Sequence, residues 1–313
     1  MNLKLKNKAL TMTQKIIRKL LLPMYFALLT YSLSTHAGQL NYNAELTILS
    51  DSAVTIEAAN IGTNSEANSD TAIAQLLGAE YQFNNSLSFS YEFYNESYQD
   101  LSENDTQYHS LNAGYDRNIG PFDFFLNTSH MNMTLEGDDF LVMDLVMPSL
   151  SYYFESGIYL NLSHTWINKS FDTFSDFDAK NNATGLTAYY FFANNKAFIS
   201  LNYTQGNEEA NSNDNDYDEN TTTAAFQYPI NIGTYASKIN ASYSIRNRNY
   251  PKVTDPLTIK SREERARFKV YIDSKMNDQW SIRGTYDFMD RDSNLATSTY
   301  ESNYFNLRVS YQN

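Results

Sequence analysis

The chain has 313 residues, among them 25 Tyr, 19 Phe, 11 Gly and 6 Pro but no Cys, and carries a formal net charge of −13. The lack of cysteine excludes disulfides, thiolate metal sites, a cysteine nucleophile and a lipid-anchored cysteine, and says little about compartment. High aromatic content beside a negative mean hydropathy argues against an ordinary soluble core; a membrane barrel needs only an outward apolar band and tolerates a polar interior.

Residues 1–19 hold Lys4, Lys6, Lys8, Lys15, Arg18 and Lys19 and no acid. Leu20 to Leu33 is apolar, and Thr35-His36-Ala37 offers the small residues that a signal peptidase reads. This is the pattern of a secretory signal, too short for a spanning helix, with cleavage expected after Ala37. The long basic region also allows a start at Met12. The expected organisation is a signal peptide over 1–37 and one barrel domain over 38–313.

Fourteen strands are expected, near 39–50, 71–83, 86–98, 106–118, 121–133, 140–154, 157–169, 181–193, 196–206, 220–229, 235–249, 261–273, 279–290 and 299–311. The last shows the pattern best: Phe305, Leu307, Val309 and Tyr311 alternate with Tyr304, Asn306, Arg308 and Ser310, one greasy face and one wet face. Pro148 falls inside the sixth strand, where it predicts a bulge.

Between the strands, short connections (Asn84-Asn85, Asn118 to Gly120, Glu155-Ser156, Asn194-Asn195, Pro229 to Thr234, Ser274 to Asp278) alternate with long ones (Asp51 to Asp70, Gln99 to Asp105, Thr134 to Asp139, Ser170 to Lys180, Asn207 to Glu219, Tyr250 to Lys260, Arg291 to Ser298). Bacterial outer-membrane barrels sort their turns this way, with an even strand count. The fold class predicted is a transmembrane antiparallel up-and-down β-barrel with both termini in the periplasm. Aromatics are expected in two interfacial girdles. Phe83, Phe122, Phe154, Tyr159, Phe192, Phe198, Tyr228, Tyr235, Trp280 and Tyr311 would form the periplasmic one. Tyr94, Tyr108, Phe140, Trp166, Tyr203, Tyr250, Phe288 and Tyr300 would form the outer one.

Chemistry-bearing motifs are sparse. Beyond the signal the histidines are His109, His130 and His164, and Ser163-His164 and Ser129-His130 place neighbours on opposite faces of a strand. No catalytic residue, metal site or cofactor is expected. The run Asp214-Asn-Asp216-Tyr-Asp218-Glu219 resembles the start of a calcium loop but lacks its glycine and its distant glutamate.

The lumen is more informative. Setting each strand's register by its greasy face turns Glu45, Glu80, Glu92, Glu96, Asp116, Asp123 and Asp144 inward on strands 1–6. On strands 11–14 it turns Lys238, Arg246, Arg248, Arg265, Arg267, Lys269, Arg283 and Arg308 inward, against Asp273 and Asp287. An acidic and a basic arc would meet where the last strand pairs with the first. Two readings follow: a wet pore with a transverse field, or charges paired across the lumen that staple it shut. Fourteen strands lie nearer the wide, open barrels than the filled eight-stranded ones.

Tyr286-Asp-Phe288, Arg291-Asp-Ser-Asn294, Tyr300 and Asn306-Leu-Arg-Val-Ser-Tyr311 resemble the barrel end of surface lipoprotein assembly modifiers. The resemblance covers about the last 30 residues and implies a role in delivering lipoproteins to the cell surface. It departs from that family in leaving no room for the helical domain before the barrel, and in ending Tyr311-Gln312-Asn313, with Asn313 where an outward aromatic is usual.

The expected function is a passive outer-membrane channel for small polar solutes or ions, not an enzyme. The alternatives are a reduced lipoprotein-export factor and a pore-less adhesin or anchor using the acidic loops. Expected partners are outer-membrane lipid, lipopolysaccharide, the barrel assembly machinery and, on the resemblance, a surface lipoprotein. No nucleic acid is expected, and the barrel is expected to be monomeric.

Overall fold

The computed structural model describes residues 38–54, 68–253, 260–295 and 298–313. The expected signal segment and most of the first long loop lie outside the described residues. Alternating segments rich in Tyr, Phe and Thr form fourteen strands, because their side chains suit a pleated, half-buried surface. They are β1 (Gln39–Asp51), β2 (Asp70–Asn84), β3 (Leu87–Tyr98), β4 (Thr106–Ile119), β5 (Phe122–Leu135), β6 (Asp138–Tyr153) and β7 (Ile158–Phe171). The second half holds β8 (Ala179–Phe192), β9 (Ala197–Ala210), β10 (Tyr217–Ile232), β11 (Tyr235–Asn249), β12 (Arg262–Lys275), β13 (Trp280–Ser293) and β14 (Tyr300–Gln312).

Each strand pairs antiparallel with its sequence neighbours, and β14 returns to β1, so the sheet closes and has no free edge. At the seam Thr47 stands opposite Arg308 and Ile48 opposite Leu307. Asn313 prolongs the seam: its backbone N–H donates to the Tyr42 carbonyl at 3.2 Å, and its Oδ1 accepts the Tyr42 N–H at 2.7 Å. The outward aromatic at the chain's end is Tyr311, with its ring 5.0 Å from Trp280 and 6.0 Å from Tyr42.

The two faces of the cylinder are separated residue by residue. Leu46, Ile48, Leu111, Leu162, Ile199, Leu201, Phe305 and Leu307 point outward and leave much of their apolar surface exposed. A band of that extent around a closed sheet is what lipid covers and water does not. On β9 the band runs through Ile199, Leu201 and Tyr203, then gives way on the same face to Gln205 and Asn207. The strands therefore continue past the apolar band. They are 12 to 16 residues long, against the roughly 9–11 a tilted strand needs to cross a bilayer.

Both described ends of the barrel chain lie at the end with the short turns. At the opposite, long-loop end three connections share one device. Short 3-10 turns at Ser102–Asn104, Ser175–Phe177 and Asn213–Asn215 are each followed by an aspartate. Asp105, Asp178 and Asp216 reach back across the hairpin to accept the backbone N–H of Tyr98, Phe171 and Ala210 at 2.7, 2.6 and 2.5 Å. The carboxylate thereby satisfies a strand-end donor that would otherwise be unpaired.

Four expectations are corrected here. The connection expected from Thr134 to Asp139 is a two-residue turn, Glu136-Gly137, with φ of 55° and 93°; both central residues of such a hairpin turn need positive φ. The connection expected from Asn207 to Glu219 is partly strand, because β9 continues to Ala210 and β10 begins at Tyr217. The bulge in β6 lies at Phe140, where the pairing passes from Met133–Leu141 to Thr134–Asp139. Pro148 lacks a donor for the ladder, yet the β6–β7 register is the same on either side of it.

The fourth correction concerns the girdles. Phe83, Phe122, Phe154, Tyr228, Tyr235 and Trp280 are exposed near the short-turn end, and Trp166 and Tyr203 near the other. Tyr94, Tyr108 and Tyr300 instead turn inward, where their hydroxyls meet Glu96, Glu92 and Arg291. Tyr250 is buried against Tyr217, and Phe140 packs on Phe171. Tyr159 and Phe198 also face inward, for they lie opposite Tyr189 and Phe191 on the face away from exposed Ile158, Tyr190 and Ile199.

Candidate functional site: the inner wall

Strand parity places every expected basic residue of the second half on the inner face: Lys238, Arg246, Arg248, Arg265, Arg267, Lys269, Arg283 and Arg308 alternate with outward Ile239, Ile245, Phe268, Ile282 and Leu307. The basic arc is interleaved with more acid than the sequence pattern suggested. Glu263 is the hub near the long-loop end: its side chain is fully buried, and it holds Arg246 at 2.6 Å, Arg291 at 2.5 Å and Lys260 at 3.2 Å. Glu219 takes Arg248 at 2.5 Å. Further down, Asp287 takes Arg267 at 2.8 Å and Lys269 at 3.9 Å, and Asp273 pairs with Arg283.

The expected acidic residues Glu45, Glu80, Glu92, Glu96, Asp116 and Asp123 also face inward, on β1 to β5. No lysine or arginine shares that inner face on β1 to β5 among the described residues. Tyrosines line these carboxylates instead: Tyr108 donates to Glu92 at 2.6 Å, and Tyr94 donates to Glu96. Asp116 and Asp123 are exposed near the short turns. The two arcs meet at the seam, where Arg308 Nη1 lies 2.9 Å from Glu45 Oε2.

Asp144 departs from this scheme. It sits between Val142 and Val146 on the outer face of β6, opposite His130, and its Oδ1 lies 2.7 Å from His130 Nδ1. The bulge at Phe140 shifts the alternation of β6, which misleads a register counted from the greasy run Phe140 to Val142. His109 and His164 face outward as well. Tyr91 Oη lies 2.6 Å from His109 Nδ1, and His164 Nδ1 lies 2.8 Å from Thr184 Oγ1. Among the described residues no group of His, Asp and Glu is arranged to hold a metal ion.

Several inner residues escaped the sequence reading. Lys169 and Glu208, 2.6 Å apart, bridge β7 and β9 over β8, and both side chains are buried. Tyr217 donates to the same Glu208 at 2.9 Å and stacks under the Arg248 guanidinium at 4.2 Å. Glu208 and Tyr217 fall in the stretch expected to be loop, and Lys169 is the last residue of the seventh expected strand. Beyond the strands, a hydrogen bond of 2.5 Å from Lys252 to Asp216 holds the Lys252 ammonium above its ordinary pKa.

Burial grades along the lumen. At the long-loop end Leu49, Ala72 and Ala74 pack with Tyr94, Tyr98 and Tyr304, and Met133, Leu141 and Phe171 pack with Tyr108 and Phe177. At the short-turn end the inward Asp116, Asp123, Tyr153 and Lys238 are exposed. Each inner-wall ion pair between two strand residues joins neighbouring strands or strands one apart, so these pairs run along the wall; Lys260 and Lys252 pair from beyond the strand ends.

No family model matches the chain, and no curated protein matches its sequence. Solved structures do resemble it. OmpT, an outer membrane protein of Vibrio cholerae, aligns with a TM-score of 0.52 at 11% identity, over 90% of this chain and 99% of that one. An anion-selective porin from Comamonas acidovorans aligns with a TM-score of 0.52 at 8% identity, over 88% and 99%. A bacterial polysaccharide outer membrane secretin aligns with a TM-score of 0.52 at 7% identity, over 86% and 97%. At these identities the likeness is one of fold: a closed barrel of the outer-membrane type.

Proposed function

We propose that the protein is a passive outer-membrane channel for small polar solutes or ions, with the short-turn end and both termini in the periplasm. The observation that carries this reading is the direction of the inner-wall ion pairs. Arg308–Glu45, Arg246–Glu263, Arg248–Glu219, Arg267–Asp287 and Arg283–Asp273 each join adjacent strands. Charges that stapled the lumen shut would pair across it. Paired along the wall, they stiffen the sheet and leave the bore to water, which also keeps charge off the lipid face, where Arg or Lys costs about 2–4 kcal/mol at midplane.

An acidic arc without cations facing a basic arc imposes a field across the bore that orders polar solutes and sorts ions. On this reading the narrow level lies at the long-loop end, where the inward side chains are packed most closely. Purified protein added to a planar bilayer should give discrete conductance steps; a silent bilayer at high protein load overturns the reading. Replacing Arg265, Arg267 and Lys269 together by glutamine should shift the reversal potential toward cation selectivity. A barrel that is silent, and whose deletion removes a lipoprotein from the cell surface, would instead favour an export role of the modifier type.

A further inference from the structure

The third arc of the inner wall, on β6 to β9, is neither acidic nor basic. Near the short-turn end it carries five inward aromatic rings: Tyr153, Tyr159, Tyr189, Phe191 and Phe198. Tyr189 and Phe191, alternate residues of β8, lie side by side with centroids 5.8 Å apart and planes 9° from parallel. Phe198 stands edge-on to both, at 5.4 and 6.0 Å. Tyr159 adjoins Tyr189 at 5.9 Å, and Tyr153 adjoins Phe191 at 6.4 Å.

The next inward residues toward the long-loop end are amides and hydroxyls. Asn161 donates to Ser151 at 2.9 Å, and Asn202 donates to Thr187 at 2.8 Å. The charges of this arc, Lys169 and Glu208, come only at the long-loop end and are paired with each other.

Half-buried aromatic rings facing the lumen forgo part of the gain that full burial of a large apolar side chain brings. At the same level the neighbouring arcs carry Asp116, Asp123 and Lys238, with the inward ring of Phe125 opposite Asp116. A tiled aromatic floor bordered by neutral hydrogen-bonding groups suits a ligand that is apolar on its face and hydroxylated at its edge.

We propose that this arc is a subsite for a neutral saccharide, the channel's solute class. The sugar's C–H face would rest on the rings of Tyr189, Phe191 and Phe198, because the negative face of an aromatic ring attracts polarised C–H groups. Its hydroxyls would exchange hydrogen bonds with the amides of Asn161 and Asn202. A charged solute would find its counter-charge on the other two arcs. The proposal rests on the channel reading for its role in transport, and the test separates the two.

Maltohexaose, a linear neutral probe, should reduce the single-channel potassium chloride current of the whole protein in a concentration-dependent way. Isothermal titration of the detergent-solubilised barrel should give a matching binding heat. Replacing Tyr189, Phe191 and Phe198 together by alanine should weaken both by at least about tenfold, while discrete conductance steps persist without sugar. Should that variant fail to fold, Asn161→Ala with Asn202→Ala tests the polar edge, and Phe191→Tyr should retain sugar binding. Conductance with neither current reduction nor binding heat overturns the subsite and keeps the channel. Binding heat from a silent barrel keeps the subsite and overturns the channel. An apolar aromatic probe that binds where maltohexaose does not overturns the saccharide assignment.

Discussion

Arg308 Nη1 stands 2.9 Å from Glu45 Oε2 across the pairing of β14 with β1, with the two side chains 31% and 21% exposed. One contact thus joins the last strand to the first and the basic arc to the acidic one. A double-mutant cycle with Arg308→Gln and Glu45→Gln should return a favourable coupling of roughly 1 kcal/mol, since the pair is partly hydrated. Chemical unfolding in detergent or vesicles measures it, and strictly additive effects would show that this pair adds nothing to the seam.

Lys169 and Glu208 make a deeper pair, with side chains 7% and 8% exposed. Lys169→Met alone strands the Glu208 charge in a packed wall and should cost about 3–5 kcal/mol, whereas Lys169→Met combined with Glu208→Leu should recover most of that loss. Unfolding midpoints of the three variants test this. A double variant no more stable than the single one would contradict it.

The aspartates that clamp the long-loop hairpins should act locally. Asp178→Ala removes the acceptor of the Phe171 N–H, a bond of 2.6 Å, and should cost about 1–3 kcal/mol as a lost charge-assisted bond. Hydrogen exchange should quicken at Phe171 and the neighbouring turn while the β12–β13 ladder keeps its protection. Asp105→Ala should do the same at Tyr98.

Acids on the two faces of the sheet should differ in what they control. Asp116→Asn with Asp123→Asn removes charge from exposed inner positions and should move the reversal potential toward anions. Asp144→Asn removes charge from the outer face beside His130 and should leave selectivity unchanged. Equal shifts from both would place Asp144 on the conduction path.

The period of two written into Phe305, Leu307 and Val309, and into thirteen similar stretches, determined the strand count, most boundaries and the side on which nearly every charge falls. That much was legible because parity is local: a greasy residue fixes the face of its neighbours without reference to any other strand. Tertiary structure alone decided the rest. A single extra residue at Phe140 reversed the side of Asp144, whereas Tyr94, Tyr108 and Tyr300 face inward by the same parity that turns Glu92, Asp116 and Arg308 inward. Only strand pairing brought Tyr189, Phe191 and Phe198 into one floor and set Glu263 among three cations, because contacts between strands depend on register, and register is a property of the paired sheet.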